Sequence, residues 1–211
     1  SSASDAKVHF QGSNSTFSGT IISQRSGQFD WRYVGSDNGL GTGSCVLQGT
    51  AASDILLRLD KSLSLTNSFE GTGKIEAGSY TLTHAGSLTP GATNSIGALA
   101  VGGTLDFRGV FNWNYNGTTN DVVNAATLLF GNPGGSAAVK VVWCGAGEMP
   151  IPSGSGDRYV LFNYTGADPV ITSPWPVNTP RGRGKVAVET GSKTVTLTLR
   201  PPAAGTVVVL R

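Results

Sequence analysis

Short runs of alternating residues, separated by glycine, asparagine, serine or proline, fill this chain almost from end to end. No other feature constrains its fold as strongly. Lys7–Phe10, Gln28–Val34, Cys45–Gln48, Ile55–Leu59, Ser62–Thr66, Tyr80–His84 and Gly103–Phe107 are the first of them. Val110–Tyr115, Ala137–Trp143, Tyr159–Asn163, Val186–Glu189 and Lys193–Leu199 follow. Each has the length of a strand, on which successive side chains point to opposite faces. Leu63 and Leu65 alternate with Ser62, Ser64 and Thr66, and Val195, Leu197 and Leu199 with Thr194, Thr196 and Thr198. One face is apolar and the other rich in hydroxyls, as a half-buried sheet requires. The best helical window, Asp121–Phe130, is followed by Gly131-Asn132-Pro133-Gly134, and its β-branched residues predict a strand pair.

An all-β chain with this punctuation is a sandwich, a barrel or a solenoid. Two-residue hairpin signals are few; Asn116-Gly117 is the best and Asn38-Gly39 another. Most other breaks read as corners, one or two glycines and then a new run. A β-helix needs that shape, because each turn holds several short strands joined by sharp bends. The residues by themselves leave the three architectures open.

Composition narrows the function classes. Charged residues are 13% of the chain, against about 25% in average proteins. The net charge is +2, and no Lys/Arg run marks a nucleic-acid footprint. The densest basic spot, Arg181, Arg183 and Lys185, reads as a solvated Pro/Gly loop. Cys45 and Cys144 make no disulfide framework, and no His/Cys cluster suggests zinc, so no cofactor or metal is expected. No apolar stretch approaches the ~18 residues that a membrane span needs.

Several segments then resemble, in order, the autotransporter-associated β-strand repeat. Asn14-Ser15-Thr16-Phe17-Ser18-Gly19-Thr20-Ile21 resembles its opening. Leu40-Gly41-Thr42-Gly43-Ser44-Cys45-Val46-Leu47-Gln48-Gly49 and Ser68-Phe69-Glu70-Gly71-Thr72-Gly73-Lys74-Ile75 resemble its next two segments. Leu88 to Gly103, with Pro90-Gly91 near its start, is similar to its Pro-Gly signature. Asn116-Gly117-Thr118, Asp121-Val122-Val123 and Gly156-Asp157-Arg158-Tyr159-Val160-Leu161-Phe162 resemble its ending. The resemblance covers most of residues 7–200. It implies a right-handed parallel β-helix from a secreted or surface-displayed bacterial protein. Members carry a membrane β-barrel after the helix, and these residues supply none, so the chain reads as a passenger-like fragment or a relative without a barrel.

The expected architecture is one domain, residues 1–211, with main coils over 1–145 and looped C-terminal coils over 146–211. At ~20 residues and ~4.8 Å per coil, it has about ten coils and a length of roughly 45–50 Å. Leu47, Leu57, Leu59, Leu63, Leu65, Ile75, Leu82, Leu99, Val101 and Leu105 are expected to stack inward. Cys45 shares the apolar phase of Leu47 and reads as a buried free thiol, too far along the axis to bridge to Cys144.

No catalytic constellation stands out. Glu70 and Glu76, either side of a glycine corner, are the nearest approach to the carboxylate pair that polysaccharide cleavage uses. Asp30 with Arg32 and Asp106 with Arg108 read as exposed ion pairs, and His84 as an outward side chain. Two aromatic rows have period two: Phe29, Trp31 and Tyr33, then Phe111, Trp113 and Tyr115. They form either a flat binding face for glycans or surface proteins, or bulky core. Trp175, between Pro174 and Pro176, reads as a clasp packed on the side of the helix. An open solenoid also exposes unpaired edges. Val8 and Phe10 in the first run, and Thr206, Val207, Val208, Val209 and Leu210 in the last, are the candidate assembly edges. The resulting expectation is a non-catalytic, extracellular or cell-surface structural or adhesive module. It self-associates end to end or by strand exchange into a filament, with no nucleic-acid partner and no membrane insertion of this segment. A polysaccharide-active enzyme and a phage or viral fibre segment are the alternatives.

Overall fold

The computed structural model describes residues 7–12, 16–24, 31–131 and 137–203. Its first strands are β1 (Lys7–Phe10), β2 (Ile21–Gln24), β3 (Trp31–Val34), β4 (Cys45–Gln48), β5 (Ile55–Leu59) and β6 (Leu63–Leu65). Then come β7 (Phe69–Glu76), β8 (Thr81–His84), β9 (Ser87–Pro90), β10 (Ala98–Phe107), β11 (Val110–Tyr115) and β12 (Val122–Leu129). The last are β13 (Ala138–Trp143), β14 (Asp157–Tyr164), β15 (Val177–Asn178), β16 (Arg183–Glu189) and β17 (Thr194–Arg200). A 3-10 turn at Thr190–Ser192 is the only helical element among the described residues.

Strands one turn apart pair in parallel, so the chain is a β-solenoid. Its first wall stacks β2, β4, the start of β7, β9, β11, β13 and β15. The second stacks β1, β3, β5, the end of β7, and the starts of β10 and β12, with the end of β14 beyond. The third stacks β6, β8 and the ends of β10 and β12. Long strands such as β7, β10 and β12 turn a corner and serve two walls. Asp121–Phe130 therefore contains one bent strand rather than the expected pair.

The register places apolar residues over one another. Leu63, Leu82, Leu105 and Leu128 form one inner column, and Leu57, Ile75, Val101 and Ala125 another. On the first wall the column runs Ile21, Cys45, Phe69, Leu88, Phe111 and Val139. Every residue of the expected inward set is buried. Each large side chain so buried contributes about 1.5–3 kcal/mol against the entropy of ordering the chain.

One corner explains the glycines ahead of the first-wall strands. Gly19, Gly43, Asn67, Gly86 and Gly109 each stand two residues before the wall's inner column. A Cβ on Gly43, Gly86 or Gly109 would run into the carbonyl oxygen of Gly19, Asn67 or Gly86. The layers approach too closely there for a side chain. Asn67 is the exception, and its amide donates to the carbonyls of Gly41 (3.2 Å) and Gly43 (2.7 Å) in the layer before.

The solenoid has about five turns, not the expected ten. Partners lie as far as 28 residues apart up to β13 (Phe111 and Val139), and beyond β12 and β13 the path lengthens to 39 residues (Val123 to Phe162). The C-terminal section coils onward only as far as β14 and β15, which pair in parallel with β12 and β13. β17 pairs antiparallel with both β14 and β16, and this three-stranded sheet caps the end. Its inward residues Val186, Val195, Leu197 and Leu199 join the core. Alternation reads the same in a parallel coil and in an antiparallel hairpin, so the sequence pattern alone does not distinguish them. Asn116-Gly117 does make a tight turn, in which the Asn116 side-chain carbonyl accepts from the amides of Thr118 and Thr119. Only one antiparallel bridge, Tyr115 to Asn120, precedes the divergence of β11 and β12 to different walls.

Candidate functional site

The second aromatic row lies inside. Phe111 and Trp113 are fully buried and Tyr115 nearly so, because they share the phase of Leu88 and Val139. The Trp113 indole donates to the Asp121 carbonyl at 3.1 Å, and the Tyr159 hydroxyl to that of Tyr115 at 2.7 Å. These three residues are core and offer no binding platform. In the first row, Phe29 and the side chain of Trp31 lie outside the described residues. Tyr33 is partly exposed on the second wall, its ring stacked on His9 at 4.7 Å.

His84 is a second correction. It shares the phase of Leu82, so it points inward between Leu65 and Phe107. Its Nε2 is 3.0 Å from the Asn67 carbonyl, while Nδ1 has no partner. Burial holds its pKa down at about 4, and the imidazole is neutral. A second buried polar group, just ahead of β12, ties β11 to the loop before β10. The Asp121 carboxylate accepts from the amides of Gly97 (2.9 Å) and Asn114 (3.0 Å) and from the Asn114 side chain (2.7 Å). Burial, outweighing those donors, raises the pKa of Asp121 to about 7. Both groups are closed off by packing and face no groove. Cys45 is buried, with its thiol pushed up to about 12 by that burial, and both cysteines are free.

The acidic residues spread over different walls. Glu70 stands on the first wall and Glu76 on the second, where Lys74 holds it at 2.6 Å, so the two do not converge. Arg108 holds Asp106 at 2.5 Å, and Lys193 holds Asp168 at 2.7 Å. Asp30, the expected partner of Arg32, lies outside the described residues. Among the described residues no group of three His, Cys, Asp or Glu is placed to hold a metal, and no helix is long and apolar enough to cross a membrane.

What remains for contact is the outside and the ends. A groove of about 410 Å³ on the first wall lies beside Trp143, with Asn112, Lys140, Thr89 and Pro180 along it. Trp175 is buried by the loop that carries it, edge-on to Phe130 at 4.6 Å, as the clasp reading expects. The two ends differ. At the start, β1 pairs only with β3 and β2 only with β4 among the described residues. Val8 is half exposed there, while Phe10 packs against the core. At the other end the last strand is β16, which carries Arg183, Lys185 and Glu189 on one face. Charges on an edge strand oppose pairing with another chain. The C-terminal candidates Thr206, Val207, Val208, Val209 and Leu210 lie outside the described residues. Searches for relatives find no matching family model, no matching curated protein and no matching solved structure.

Proposed function

We propose that this chain is a non-catalytic structural or adhesive module of a secreted or cell-surface bacterial protein. In this reading it is a right-handed β-helix of the autotransporter-associated repeat type, and it assembles through its N-terminal layer. The observation that carries the reading is the difference between the two ends. Among the described residues, no strand pairs with the outer edges of β1 and β2, beside a half-exposed Val8; at the other end lies an antiparallel cap with a charged edge strand. An open parallel edge is a template for a further strand. In this proposal a neighbouring copy offers it the C-terminal run Thr206–Leu210, which is uncharged, β-branched except for Leu210, and outside the described residues.

The test is particle size against concentration, by light scattering and electron microscopy, for three proteins. The intact chain is expected to grow into polymers. Chains lacking residues 203–211, or carrying Val8→Lys, are expected to stay monomeric with unchanged far-ultraviolet β signal. An intact chain that stays monomeric at millimolar concentration defeats the assembly reading. Release of new reducing or unsaturated ends from a polysaccharide panel, lost on changing one acid, defeats the non-catalytic one.

A further inference from the structure

The antiparallel cap gathers cations that are far apart in the chain. Arg158 comes from β14, Arg183 and Lys185 from β16, and Arg200 from β17. All four are exposed. The register sets Arg183 directly opposite Arg200, and puts Lys185, Thr198 and Arg158 in one row across the three strands. Same-face residues two apart on a strand are separated by about 6.8 Å, and directly opposed residues by about 5 Å. The face carries one carboxylate, Glu189, and Arg158 takes it in an ion pair. Asp157 has the opposite strand phase and is held by the Ser153 hydroxyl at 2.7 Å. Among the described residues no acid reaches Arg183, Lys185 or Arg200, whereas the cap's Arg181 and Lys193 are each paired. Four cations against one carboxylate exceed the net charge of the whole chain, +2. Together with Ser155 and Thr198, they line an open groove of about 510 Å³.

Like charges set opposite one another across a sheet destabilise it. A fold that needed these positions only for stability would gain from neutral residues there. We propose that this groove binds an acidic polysaccharide, a chain of sugars bearing carboxylate or sulfate groups. Arginine forks bind such anions in pairs, and Ser155 and Thr198 supply hydroxyl partners for sugar oxygens. No aromatic ring lines the groove. Single-stranded nucleic acid, which relies on stacking its bases, finds no platform there. Arg183 and Lys185 belong to neither β1, β2 nor residues 204–211, so variants there test the site separately from assembly.

The test uses the full chain and calorimetric titration with polygalacturonate, dextran sulfate, neutral dextran and a single-stranded oligonucleotide, in 50 and 200 mM salt. At least one acidic polysaccharide is expected to bind and neutral dextran not to, with affinity falling as salt rises. The double variant Arg183→Gln/Lys185→Gln is expected to weaken binding at least tenfold. Lys61→Gln/Lys74→Gln, which removes the same charge elsewhere, is expected to change it less than twofold. The midpoint of thermal unfolding of the first variant is expected to hold or rise, since repulsion is relieved; a fall means that the cations serve the fold, and overturns the proposal. Equal loss in both variants, no binding of either acidic polymer, or tighter binding of the oligonucleotide also overturns it.

Discussion

At the scale of single residues, two kinds of position decide most. The corner glycines are the first. In Gly109→Ala the new methyl would meet the Gly86 carbonyl oxygen, which is backbone and fixed by its own layer. The layers would have to separate, at a cost of about 3 kcal/mol, the upper part of the usual range for overpacking. Urea denaturation measures this, and a midpoint equal to that of the parent would show that the corner yields. His84 and Asp121 are the second. The folded pKa of His84 is depressed to about 4, so its contribution is present above about 6.5 and is lost as pH falls through 4. That of Asp121 is raised to about 7, so its contribution is present below about 3.8 and is lost as pH rises through 7. Between pH 4 and 6.5 the two slopes oppose each other. His84→Leu is expected to leave stability falling as pH rises across this window. Asp121→Asn is expected to leave it rising. Urea midpoints at pH 4, 5, 6 and 7 check both signs, and two variants with the parent's profile would refute the pairing.

At the scale of elements, the cap and its clasp explain how the coils end. β17 lies between β14 and β16 and brings Val195, Leu197 and Leu199 over the last layer. The loop after β14 adds Trp175, which contacts the rings of Phe107, Phe130 and Phe162. The second and third walls and the cap meet at that cluster, and Phe111 of the first wall packs on its Phe162. Trp175→Ala is expected to cost about 3–5 kcal/mol, read from urea unfolding followed by far-ultraviolet circular dichroism. A loss below 1 kcal/mol would make the loop an appendage rather than a clasp. The prolines on either side of Trp175 suit this role, since they limit the conformations that the loop gives up on docking.

At the scale of the whole molecule, stacking creates a direction. Five turns at about 4.8 Å each give the regular part a length of about 24 Å, roughly half the expected rod. Among the described residues one end has no strand beyond β1 and β2 and the other carries the antiparallel cap, and the assembly experiment separates growth from stable pairing. Long-range parallel pairing also makes folding slow, because each layer closes a loop of about two dozen residues before its contacts form.

The alternating runs by themselves determined that this chain is all-β, where most of its strands lie, and which residues face inward. Ten inward positions from Leu47 to Leu105 were legible because burial phase is a local property with period two. The same rule, applied from Leu82, also places His84 inside; an outward reading follows only if its polarity outweighs its phase. Tertiary structure alone decided the rest. Whether β14, β16 and β17 coil or fold back, how many turns the solenoid makes, and which outward residues meet depend on pairing between distant strands. Alternation is identical for parallel and antiparallel partners and for every even shift of register. For that reason Arg183 and Lys185 read as a loop charge in one dimension, and only the antiparallel register brings Arg158 and Arg200 to their side.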